Sequence, residues 1–175
     1  MPKLAQAVES RTVSPCFEYN LEVLKQEYKK IQEKHDLPNF NELNEDFNIE
    51  KASEVEVELL IREIRRFVAD KLSNYMRFVE AILNPVNVPM FVYSLIKSLD
   101  TQEKEKLTEL YKKLAKNELK LIGLDVTYSE EKEALFIRDS YKMWQDMKKD
   151  LLDVLEKANK NWDNKVESKS KDYFG

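Results

Sequence analysis

The sequence predicts an all-α protein: a helical bundle of four main helices plus one or two short helices, with no sheet. Three observations carry this expectation. Large apolar residues recur at alternating steps of three and four over long stretches, the spacing that gathers them on one side of a helix. No segment keeps up the apolar–polar alternation of a half-buried strand. Only two glycines, Gly123 and Gly175, stand in 175 residues, where average usage would supply about twelve. With no repeat and no marked boundary, the chain divides into an N-terminal arm over 1–16, one bundle domain over 17–162 and a polar flexible tail over 163–175.

Phe17, Leu21, Leu24, Tyr28 and Ile31 form the narrow apolar seam of a first helix, with His35 at the next seam position. Pro38 stops it, because the residue before a proline is driven out of the helical region. Asn39 with Glu42 three residues on marks the start of a short helix. Its Phe40, Leu43 and Phe47 should pin a long connection to the bundle. Ser53 with Glu56 forms a capping-box pair expected to open the central helix, whose seam runs Val57, Ile61, Ile64, Val68, Leu72, Tyr75, Val79, Ile82. Glu54, Glu56 and Glu58 then fall in its first turn, where negative charge suits the helix dipole. Asn84-Pro85 ends this helix. Asp100 with Glu103 caps the next one, which runs through Leu107, Leu110, Tyr111, Leu114 and Leu121 to Gly123 as its stop. Thr127 or Ser129 starts a last long helix with its seam at Ile137, Tyr141, Trp144, Leu151, Leu155, Ala158 and Trp162.

Between the central helix and Asp100 lies NPVNVPMFVYSLIKSL, residues 84–99, unusually apolar in a chain of which 35% is charged. Treated as a helix over 88–99, it turns Val88, Phe91, Val92, Leu95 and Leu99 inward. Met90, Tyr93 and Lys97 fall on the other side. Met and Tyr are enriched at interfaces, so this face reads as a docking patch presented by the rigid Pro85 and Pro89.

The scarcity of glycine excludes phosphate-binding loops, dinucleotide fingerprints and nucleophile elbows, each of which needs several for tight turns. One histidine excludes a two-histidine metal site, and one cysteine, Cys16, excludes an intrachain disulfide or a four-cysteine zinc site. Cys16 beside Phe17 reads as a small buried hydrophobe. No cofactor is expected. No window approaches the roughly 20 apolar residues that span a bilayer, and the N-terminus lacks a signal-peptide core, so a soluble cytoplasmic protein without membrane contact is expected.

His35, at a helix end and on the seam, reads as a packing or capping residue. Asp139, Asp146, Asp150 and Asp153 share a face of the last helix, but it lies opposite Trp144 and is interleaved with lysines. Four of the six arginines, Arg62, Arg65, Arg66 and Arg77, lie within 16 residues of the central helix. They read as structural partners of acids such as Glu58 or Glu63, or as a strip for an acidic partner or nucleic acid. Lys112, Lys113, Lys116 and Lys120 read as cations favoured near a helix C-terminus. Tyr173 and Phe174 form a possible terminal aromatic motif.

The function these features favour is a non-enzymatic helical protein–protein interaction module: a subunit, adaptor or self-associating protein. Its partner-binding residues would be Met90, Tyr93, Lys97, Arg62, Arg66, Arg77, Tyr173 and Phe174. Two rivals stand behind it. One is a nucleic-acid-associated subunit of a processing or replication complex using the arginine strip. The other is a carboxylate-only metal-dependent hydrolase, which needs at least three acids aimed inward from several helices.

Overall fold

The computed structural model describes residues 20–54, 59–86 and 88–171, as backbone only at Phe91 and over 161–171. Its regular elements are helices: α1 (Leu21–His35), α2 (Phe40–Phe47), a 3-10 helix (Ile49–Glu54), α3 (Leu60–Leu83), α4 (Met90–Ser98), α5 (Thr101–Val126) and α6 (Glu130–Lys171). The fold is all-α, with α1, α3, α5 and α6 as the long members. The expected arm over 1–16, with Cys16, lies outside the described residues, as do Phe17 and Val57.

Side chains cap the N-termini of several helices. Asn20 caps α1 by accepting from the Glu22 amide, and Asn39 caps α2 by accepting from the Asn41 amide. Both helices end on a residue in left-handed conformation, Asp36 at φ 52° and Asn48 at φ 55°. In a chain nearly without glycine, Asp and Asn take this position because their short side chains tolerate it best among L-residues. The expected capping box of α5 is present in full: the Glu103 amide donates to Asp100 and the Asp100 amide donates to Glu103, each at 2.8 Å.

Three boundaries differ from the sequence expectation. Ser53 does not open the central helix; α3 starts at Leu60 without a side-chain cap, and Ser53 instead donates to the Glu50 carbonyl within the 3-10 helix. The cause is local. Asn44 donates to the Glu50 carboxylate and accepts from the Glu50 amide, holding a tight turn that buries Ile49 and Ala52. Glu54 belongs to this turn rather than to α3, and Glu56 and Glu58 lie outside the described residues. Gly123 does not stop α5, which continues to Val126, because Leu124 still finds core to bury in. Finally, α6 continues past Trp162 to Lys171, through part of the expected tail, where neither proline nor glycine interrupts it.

Helices α3, α5 and α6 pack on one another, α4 lies against α6 and α3, and α1, α2 and the 3-10 helix pack together and onto α3. The core is the meeting of three seams. Ile61, Ile64, Val68, Leu72, Val79 and Ile82 come from α3, Leu107, Leu110, Leu114 and Leu124 from α5, and Phe136, Ile137, Trp144, Met147, Leu151 and Val154 from α6. Tyr75 stacks on Trp144 with ring centroids 4.7 Å apart. The α1–α2 connection is fixed by Tyr28, whose hydroxyl donates to the Pro38 carbonyl at 2.7 Å. Burial of that phenol pushes its pKa well up.

Asp46 clamps α2 to α6. Its nearly buried carboxylate accepts from Lys148 and from Gln145. Burial alone would raise its pKa, but the bonds from Lys148 and Gln145 outweigh it and hold the carboxyl below its ordinary 3.8. Trp144, whose indole N–H makes no hydrogen bond of standard geometry, still lies near enough to favour the charge.

Two predictions follow from these placements. A Cβ at Gly123 would meet no atom within 4 Å. Gly123→Ala should therefore stabilise the protein by about 0.5–1 kcal/mol in thermal or urea unfolding, through lower chain entropy in a helix interior. Asp46→Asn should cost about 1–2 kcal/mol at neutral pH. A carboxyl whose folded pKa is depressed contributes stability above its unfolded pKa and loses it as pH falls through the folded one. The gap between wild type and Asp46→Asn should hold down to about pH 5 and narrow as pH falls below the ordinary carboxylate range.

Candidate functional site

The arginines of α3 divide by depth. Arg65, expected at the seam edge, is buried, and it joins three helices: its Nε donates to Glu133 of α6 at 2.7 Å and its guanidinium to Asp125 of α5 at 3.0 Å. Glu133 is completely buried in the first turn of α6, where the helix dipole favours its charge. Its Oε1 has no hydrogen-bond partner and lies 3.8 Å from Arg62. The Arg62 guanidinium also sits over the Tyr128 ring, 5.0 Å from its centroid. Arg66 pairs with Glu63 at 3.0 Å, and Arg77 reaches Asn74 at 3.5 Å. Two of the four arginines are therefore drawn into an ion cluster with Glu133 and Asp125.

Met90 and Tyr93 project to solvent from α4, Met90 with 80% of its surface exposed, and Lys97 lies over the Tyr93 ring at 4.5 Å. Behind them Val92 and Leu99 are buried, and Val88 and Leu95 pack against the core. Tyr173 and Phe174 lie outside the described residues.

His35 joins α1 to the start of α6. Its Nε2 lies 2.8 Å from Glu130, which also accepts from Lys34 at 2.9 Å. These two bonds, His35 first, hold the Glu130 carboxyl below its ordinary range. Of the acids on α6, Asp139 pairs with Lys120 of α5 at 3.2 Å. Among the described residues no group of three or more His, Cys, Asp or Glu side chains is placed to hold a metal ion.

The surface that sequence reasoning missed is on α5. Leu119, Ile122 and Val126 are 71%, 55% and 81% exposed, and with the half-buried Ala115 they step by four, three and four. That is a second apolar seam on the side away from Leu110 and Leu114. Exposed Gly123 lies beside it. The signal was present in the sequence, since α5 carries two sets of three-and-four steps where a surface helix needs one. The longer inner set masked the outer one.

Lys112, Lys113, Lys116 and Lys120 also take a different place from the one expected. Because α5 runs on to Val126, its last turn contains no basic residue. The dipole falls off within the last turn, so it does not account for these lysines.

The ion cluster yields a test. Arg65→Ala would leave Glu133 buried with its main partner gone, and should destabilise the fold by about 3–5 kcal/mol in urea unfolding. Arg65→Met with Glu133→Leu, which removes both charges, should recover most of that loss.

Among the described residues no helix is long and apolar enough to cross a membrane. Comparison of the whole chain with known proteins finds no matching family model, curated protein or solved structure.

Proposed function

We propose that this chain is a non-enzymatic helical protein–protein interaction module, a subunit, adaptor or self-associating protein, and that it docks through the outer seam of α5. The exposed row Leu119, Ile122, Val126 is the observation that carries the reading. Each of these side chains would gain on the order of 1–2 kcal/mol by leaving water. Three-and-four spacing is how one helix receives the side chains of another. An amphipathic helix of the partner is the occupant this geometry suits. Met90 and Tyr93 on α4 offer a second, smaller apolar contact. The nucleic-acid reading ranks lower because Arg62 and Arg65 face Glu133 and Asp125, which cancel much of their field.

The test is affinity capture of the tagged chain after nuclease treatment, with cross-linking and light scattering to identify what is bound. Leu119→Ser with Val126→Ser alters only exposed positions and should leave the melting curve within about 0.5 kcal/mol of wild type. It should abolish a nuclease-resistant stoichiometric partner, or the dimer if the partner is a second copy. A wild-type chain that stays monomeric and retains no protein, or a variant that keeps the same partner, would overturn the reading.

A further inference from the structure

Helices α5 and α6 enclose an open groove of about 370 Å³ whose charge is opposite to that of the protein. Lys113, Lys116 and Lys120 line it from α5 and Lys142 from α6, against Asp139 and Asp146. This basic cleft sits in a chain of net charge -4. Lys120 is engaged with Asp139, whereas Lys113, Lys116 and Lys142 form no ion pair among the described residues. Four lysines against two carboxylates leave a surplus of positive charge, and the repulsion among them is offset when an anion enters between them. At the groove wall stands Asn117, itself only 6% exposed. The buried Ser140 hydroxyl donates to its Oδ1 at 3.1 Å, which leaves its Nδ2 as the donor the groove can use.

We propose that this groove binds the di- or triphosphate group of a small molecule, with Lys113, Lys116, Lys120 and Lys142 around the phosphates and Asn117 Nδ2 donating from the wall. The charge surplus favours a multiply charged anion over a single carboxylate. Lysine ammoniums act as point charges and suit a tetrahedral phosphate group with many oxygens. All four cations here are lysines.

The size of the basic stretch selects a short polyanion. From Lys113 to Lys120 is two turns of α5, about 10 Å, enough for two or three linked phosphates. The neighbouring groove that meets it at Lys113 is lined by Glu105, Glu109 and Asp150 against Lys106, so acids outnumber bases there. A long phosphate backbone continuing that way would meet like charge. This inference stands apart from the docking role of the outer seam, and either can fail without the other.

The experiment is calorimetric titration of the full chain with sodium pyrophosphate at low ionic strength, followed by orthophosphate. Saturable one-site binding is expected, tighter for pyrophosphate and weakening as salt rises. Lys116→Gln with Lys142→Gln should weaken it about tenfold. Asp146→Asn, which removes a repulsive charge, should tighten it about twofold. Lys112→Gln, whose ammonium is held by Glu109 at 2.7 Å, should leave it unchanged. The lysines are exposed, so the variants should melt as wild type does. Absence of pyrophosphate binding, or equal binding by the double lysine variant, would overturn the proposal. Displacement of pyrophosphate by a much tighter-binding single-stranded oligonucleotide would also overturn it, in favour of a nucleic-acid groove.

Discussion

The buried pair of Arg65 and Glu133 is the constraint around which the bundle is arranged. Apolar seams tolerate sliding: a helix displaced by one turn, 5.4 Å, still finds apolar side chains opposite it. A buried charge does not, because separation from its partner leaves both ions without water or counter-charge. With Arg65 on α3 and Glu133 in the first turn of α6 both buried, the pair sets the relative height of those two helices. The more exposed Asp125 near the end of α5 adds a weaker tie. The buried pair also holds the start of α6 against α3. Which sides of α5 face outward follows from its inner seam of Leu107, Leu110 and Leu114, which is buried in the core.

Most of the fold could be read in advance because it rests on local chemistry. The seams of α1, α3, α5 and α6 are periodic over many turns, and the Asp100–Glu103 box closes within three residues. Errors came where local signals were ambiguous. Ser53 and Glu56 have the spacing of a capping box, yet the decisive bonds nearby are those between Asn44 and Glu50, six residues apart, which favour a 3-10 turn. Gly123 resembles a helix stop, but burial of Leu124 is worth more than the entropy lost by one glycine in a helix.

The candidate sites were less legible than the fold. Nothing in the sequence pairs Arg65 with Glu133, 68 positions away, because that contact exists only once α3 and α6 have packed. The lysines of α5 complement a helix dipole only if the helix ends at Gly123. Moving the end to Val126 leaves their clustering with Lys142 as something to explain. Helix α5 thus has three distinct faces: an inner one with Leu107, Leu110 and Leu114, a basic one toward α6, and an outer apolar one. A helix needed only for stability requires the first.

The wiring of the core also bears on how the chain reaches its native state. Helices α5 and α6 are joined by the short turn 127–129, and α3 is separated from them only by α4 and its connections. Contacts among these helices close comparatively short loops, and helical proteins wired in this way fold in microseconds to milliseconds. The bonds fastening the α1–α2 region to α6, Lys34 to Glu130 and Asp46 to Lys148, join positions 96 and 102 residues apart. Closing a loop costs more entropy the longer it is. Packing of α1, α2 and the 3-10 helix onto α3 is, by contrast, close in sequence, so the N-terminal helices can seat on α3 early and close only their bonds to α6 across the long loops.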